Sequence, residues 1–197
     1  MLTFKYSHAA RAAFYNKAFP NYPPLHVHDR WVYGIWEIGN DYKGSGYYGS
    51  YPPSYMKRVY AMFPEKKPSR TLHLFSGSLQ VPGVRVDIQN HGSVFPSVVA
   101  SAVHLPFPDA SFDFVMADPP YSVEDAVKYG PPLPDKRKVM IELARVVKPG
   151  GHVAWLDIPK PMYRKAEWHA WATIGILRST NHRGRFLFLY ERAHNNG

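Results

Sequence analysis

Cysteine is absent from this 197-residue chain, which excludes disulfides and thiolate-held metals and leaves no sequence reason to expect secretion. No apolar run approaches the roughly 20 residues that a membrane-crossing helix needs, and the first residues lack the apolar block of a signal peptide. The expectation is a cytoplasmic protein with no membrane partner. Acidic side chains are also scarce: 15 Asp and Glu stand against 24 Lys and Arg, a formal net charge of +9. That balance favours a polyanionic partner, through attraction to phosphates and release of their counterions. No internal repeat or long low-complexity tract is visible.

What remains is the composition of a folded α/β domain: 45% hydrophobic and 15% aromatic residues, with 19 prolines marking many turns. One domain over residues 1–197 is the length-based expectation, with 1–46 an N-terminal extension of unassigned role. The alanine-rich stretch 7–18 predicts a short helix ended by Pro20 and the Pro23-Pro24 pair. Trp31 to Ile38 suits a strand or a packed irregular segment. Tyr55, Met56, Val59, Tyr60 and Met62 recur at helical spacing before Pro64. Strands are predicted at 71–75, 84–88, 112–117 and 152–156, with a short helix and a third strand between 93 and 102. A Pro-rich loop covers 122–135, an amphipathic helix 136–147 closed by Pro149-Gly150-Gly151, and a further helix 165–174. The chain closes with an antiparallel pair, 176–178 with 185–191, around Asn181-His182-Arg183-Gly184. The alternation from residue 71 onward argues a doubly wound, mostly parallel sheet with a closing antiparallel pair.

Several segments, in order, resemble the class I S-adenosylmethionine-dependent methyltransferases, whose fold is Rossmann-like. Leu74-Phe75-Ser76-Gly77-Ser78 is similar to that family's first strand and glycine turn, and Asp87 to the acid that takes the cofactor's ribose hydroxyls. The stretch 105–113 and Leu143 through Gly151 are similar to the regions near strands four and five. Asp118-Pro119-Pro120-Tyr121, directly after the strand 112–117, resembles the catalytic loop of amino-methyltransferases acting on adenine or cytosine in DNA, and of some acting on guanine in RNA. Tyr47 to Pro53 resembles the segment that helps hold the cofactor in many nucleic-acid enzymes. The resemblance covers about residues 47–191. It implies S-adenosylmethionine as cofactor, with Tyr48, Ser50, Tyr51, Phe75, Ser76, Gly77, Ser78, Asp87, Ser101, Ala102 and Asp118 on the cofactor side.

The implied reaction is methylation of an exocyclic amine, whose lone pair is delocalised into its ring. The Asp118 carboxylate and the Pro119 carbonyl would each accept an amine N–H and aim the lone pair, while Tyr121 stacks on the target ring. Direct transfer is expected, since no cysteine nucleophile exists. Adenine in DNA is the first expectation and RNA the second. The alternatives are a small-molecule or protein amine, or an inactive scaffold that binds nucleic acid.

Two departures from the pattern stand out. Gly77 and Asp87 are 87 − 77 = 10 positions apart, where a strand–helix–strand unit places its acid about 20 residues on. Either the usual first helix is reduced to a turn or the cofactor pocket is incomplete. Ala100-Ser101-Ala102 stands where relatives often carry an acid near the cofactor adenine. Among other features, His26, His28 and Asp29 lack a convincing further ligand, so no metal is expected. Trp31, Tyr33 and Trp36 read as core packing. Lys136-Arg137-Lys138 reads as a solvated helix start or a phosphate contact, and Arg183 and Arg185, in the last turn, are similar candidates.

Overall fold

A computed structural model of the chain describes residues 6–39, 51–52, 54–90, 93–129, 132–178 and 181–194, without the side chains of 128, 129, 178 and 181–183. The first helix, α1 (His8–Ala18), begins where the Ser7 hydroxyl accepts the Ala10 N–H at 3.2 Å, which satisfies a donor left free at a helix start. Two strands follow, β1 (His26–His28) and β2 (Trp31–Ile38), then α2 (Tyr55–Met62). In α2 the buried residues Tyr55, Arg58, Val59 and Met62 fall on one helical face. Short strands β3 (Leu72–Leu74), β4 (Val84–Asp87) and β5 (Val98–Val99) come next, and then β6 (Phe112–Ala117).

Two helices, α3 (Val123–Tyr129) and α4 (Lys136–Val146), precede β7 (Val147–Asp157), β8 (Trp168–Arg178) and β9 (Asn181–Arg192). Asp135 caps α4 by accepting the N–H groups of Arg137 and Lys138 at 3.0 and 3.2 Å.

The strands form one nine-stranded sheet in the order β1-β2-β8-β9-β7-β6-β3-β4-β5. Neighbours from β7 to β5 pair in parallel, as do β2 and β8, while β9 runs antiparallel to both β7 and β8. The expected mostly parallel sheet with a closing antiparallel pair is therefore present. Each face carries a cluster of buried apolar side chains. Phe114 and Met116 point into a cluster with α1 and α2, whereas Val115 and Ala117 point into one with α4, as the period of two in a strand requires. The segment whose role the sequence left open supplies α1, β1 and β2, and β2 extends the sheet beyond β8.

Several expectations need correction. Residues 165–174 are not helical but enter β8. Trp171 and Ala172 together oppose Leu189 in a β-bulge, so Trp168, Trp171 and Ile174 are all buried at a three-residue spacing that imitates a helix. No helix forms among the described residues of 93–102, which supply only β5. The loop expected at 122–135 contains α3. Pro149-Gly150-Gly151 does not terminate α4: the chain passes at Val147 directly into β7, and Gly150 sits inside that strand with φ +74°. Strict strand–helix alternation fails, since no helix among the described residues links β3 to β4 or β7 to β8. No helix among them is long and apolar enough to cross a membrane.

Candidate active site

All strands except β1 and β9 point the same way, so their carboxyl ends share one rim of the sheet. The chain leaves β3 toward β4 on one side and later places β6 on the other. This is a topological switch point, where the connections diverge and open a crevice. Phe75, Ser76 and Gly77 turn out of β3 there, and Asp118 leaves β6 beside them, its N–H directed at the Leu74 carbonyl at 3.5 Å. Tyr51, Phe75, Ser76, Leu79 and Asp118 line one concavity.

The short β3–β4 connection is a tight turn. Phe75 and Gly77 adopt φ of +60° and +50°; glycine tolerates this region freely, whereas a phenylalanine there is strained. Ser76 donates its N–H to the Val86 carbonyl at 3.0 Å, and Leu79 donates to the Ser76 carbonyl at 2.8 Å. Asp87 closes the turn: one carboxylate oxygen accepts the Gly77 N–H and the other the Ile88 N–H, both at 2.8 Å. The ten-residue connection is a turn, and no helix forms among its residues.

The Ser76 hydroxyl is buried with no hydrogen-bond partner among the described residues. Unmet buried hydroxyls are uncommon, and Ser76 lines the same concavity as Asp118. That unmet Ser76 hydroxyl, on the rim where Asp87 locks the turn, fits a polar cofactor.

Ser101 and Ala102 follow β5, where the Ala100 N–H meets the Asp87 carbonyl at 2.8 Å. Ser101 is half-buried, and Ala102 packs into the α4 cluster. Neither lines the concavity with Ser76 and Asp118. Tyr51 does line it. Its hydroxyl lies 3.4 Å from His73 Nδ1, its ring stacks on Tyr55 at 5.1 Å, and burial pushes its hydroxyl pKa well up. Ser78 lies in the turn itself. Tyr48 and Ser50 fall outside the described residues, and so does the side chain of Arg183.

On the opposite side of the crevice, burial pushes the Asp118 carboxyl up to about 6, against the opposing pull of Arg185 and of the hydrogen bond from Tyr121. The Tyr121 hydroxyl donates to Asp118 Oδ1. Pro119 is buried and Pro120 half-buried, which stiffens the loop between those two side chains.

A second buried acid stands at the end of β7, where sequence reasoning did not look. Asp157 is fully buried, yet it accepts from Lys136 Nζ at 2.8 and 3.0 Å, Trp155 Nε1 at 3.0 Å and the Ile158 N–H at 2.7 Å. Its position, directly after the apolar strand 152–156, is the same signal that drew attention to Asp87. Lys136 is accordingly neither a solvated charge nor a phosphate contact, because a buried carboxylate claims it.

Of the aromatic cluster near the N-terminus, Trp36 is fully buried, whereas Trp31 is half-buried and Tyr33 exposed. His28 and Asp29 approach each other at 3.7 Å on the surface. No group of three or more metal-ligating side chains gathers among the described residues.

The chain is similar to known proteins in the same sense. The methyltransferase GfsG of Streptomyces halstedii is 33% identical over 99 residues, which are 48% of this chain and 32% of that protein. The chain thus spans about a third of the length of this curated relative. Among solved structures, TrmN from Thermus thermophilus aligns over 73% of this chain and 50% of its own, at 13% identity and a TM-score of 0.47. The PH0226 protein from Pyrococcus horikoshii OT3 aligns over 71% and 92%, at 15% identity and a TM-score of 0.38. A family model described as a methyltransferase domain matches residues 44–155. With that match covering more than half of its length, and with the crevice between β3 and β6 inside the matched span, the chain belongs to the methyltransferase-domain family, whose methyl donor is S-adenosylmethionine.

Proposed function

We propose that the chain transfers a methyl group from S-adenosylmethionine to an exocyclic amine of a nucleic-acid base, adenine in DNA first and RNA second. The observation that carries this reading is the carboxylate of half-buried Asp118, sharing one concavity with the partnerless hydroxyl of Ser76 at the switch point of the sheet. Tyr51, Phe75, Ser76, Gly77, Ser78 and Asp87 form the cofactor side, with Ser101 and Ala102 at its margin. Asp118, Pro119, Pro120 and Tyr121 form the acceptor side. When bound, S-adenosylmethionine supplies a methyl group on a positively charged sulfur.

The chain's own residues supply orientation and a place for the proton. Asp118 Oδ accepts one amine N–H and the Pro119 carbonyl the other, which aims the nitrogen lone pair at the methyl group. Positive charge developing on that nitrogen is stabilised by an acceptor already in place. With its carboxyl held at about 6, Asp118 is ionised at neutral pH and is still basic enough to take the amine proton. Tyr121 offers a ring on which a planar acceptor stacks. The +9 net charge supports a polyanionic substrate over a free amine.

The test is transfer of a radiolabelled methyl group to duplex DNA, single-stranded DNA and RNA, followed by hydrolysis to nucleosides. Label is expected in N6-methyladenine, reduced on the order of 10²–10³-fold by Asp118→Asn, with cofactor affinity changed less than about threefold. A protein that binds S-adenosylmethionine yet labels no nucleic acid overturns the reading.

A further inference from the structure

Arg185 lies on β9, paired with Ile176 across the hairpin, and reaches the acceptor loop from a distant part of the chain. Its guanidinium carbon lies 4.7 Å from the centroid of the Tyr121 ring. Its Nε is buried without a hydrogen-bond partner among the described residues. Resting on the assignment of Asp118 and Tyr121 to the acceptor side, we propose that Arg185 is the positioning residue of the acceptor pocket: it backs one face of the Tyr121 ring, presents the other to a planar acceptor, and sets its positive charge beside the Asp118 carboxylate.

The geometry supports the first part. A tyrosine ring has two torsions to fix. The hydroxyl of Tyr121 is held at Asp118 Oδ1, which fixes the far end, and the guanidinium lies against one face, which fixes the plane. A planar, delocalised cation stacks on a ring in a way that an ammonium does not. With one face taken, an incoming base completes a three-layer stack.

The surrounding charges support the second part. Asp118 is faced by Tyr121 from its own loop, by Tyr51 from the segment leading into α2, by Tyr55 from α2, by Asp157 from β7 and by Arg185 from β9. Lys136 of α4 is spent on Asp157. Within this group Arg185 is therefore the cation that opposes both burial and the charge of Asp157. The same charge repels a cationic acceptor and suits a neutral or phosphate-bearing one.

The test compares Arg185→Met with Arg185→Lys in the full chain. The first readout is titration of the Asp118 carboxyl by carbon-13 NMR, with neither cofactor nor acceptor present. Arg185→Met is expected to move the midpoint upward by about one pH unit, and Arg185→Lys, which keeps the charge, by only a few tenths. The second readout is steady-state methylation. Arg185→Lys, which loses the stack, is expected to raise KM for the nucleic acid about fivefold with S-adenosylmethionine affinity unchanged. An unmoved Asp118 midpoint in Arg185→Met overturns the charge role, and an unmoved KM in Arg185→Lys overturns the stacking role. Should Arg185→Met fail to fold, Arg185→Gln replaces it in the titration. Because the titration needs no reaction, wild-type protein that methylates nothing rejects the proposed function without touching this coupling.

Discussion

Two aspartates stand at neighbouring ends of the same sheet and are treated in opposite ways. Asp87, at the end of β4, is half-buried and spends its oxygens on the backbone N–H groups of Gly77 and Ile88. Asp118, after β6, sits behind Tyr121 in a setting that disfavours its charge. The same residue type on the same kind of strand end thus becomes a turn lock in one place and a carboxyl with a raised pKa in the other. Environment, more than identity, divides the labour between paired carboxylates.

The sharpest way to exaggerate the contrast is Lys136→Met. It strips the cation from the fully buried Asp157 beside Asp118 and leaves Asp87 untouched. An uncompensated buried charge is strongly destabilising, by about 3–5 kcal/mol, and denaturant unfolding should show a loss of that size at pH 8. A loss under 1 kcal/mol would mean that Asp157 is not held as an anion.

Breaking the other side with Asp87→Ala frees the Gly77 N–H and removes the expected ribose acceptors. Hydrogen bonds to a charged group contribute about 1.5–3 kcal/mol each, so calorimetric titration should show S-adenosylmethionine affinity falling on the order of 10- to 100-fold. Unchanged affinity would detach Asp87 from the cofactor.

The smallest effect concerns stability against pH. The Asp118 carboxyl has its folded value raised from 3.8 to about 6. The folded state therefore binds the extra proton between those values, and stability from this group is lost as pH rises from about 4 to about 6. Asp118→Asn should consequently stabilise the protein at pH 8 and give no such gain below pH 4, measured as denaturant midpoints at both. Asp87→Asn, with its carboxylate already bonded to two N–H groups, should show no gain at pH 8.

Much of this was legible in the order of residues. The alanine-rich stretch 7–18 and the apolar spacing in 55–62 and 136–147 need no tertiary help to be read. The Asp118-Pro119-Pro120-Tyr121 loop was legible because its chemistry and its place after a strand are both local. What escaped was non-local or irregular. The bulge at Trp171 disguised β8 as a helix, and α3 was hidden among prolines and polar residues. The partner of Lys136 lies in β7, and Arg185 meets Tyr121 only once β9 has been laid beside β7. Pairing of β2 with β8 likewise depends on two segments separated by most of the chain, a relation that no window of sequence contains.

That last pairing sets a schedule for synthesis. Strand β2 is made early, and its parallel partner β8 leaves the ribosome only after about 130 further residues, on the order of 10 s at ordinary elongation rates. During that interval β2 has only β1 as a sheet partner, so the nascent chain offers the open edge of an apolar strand to any chaperone, or any second nascent chain, that reaches it first.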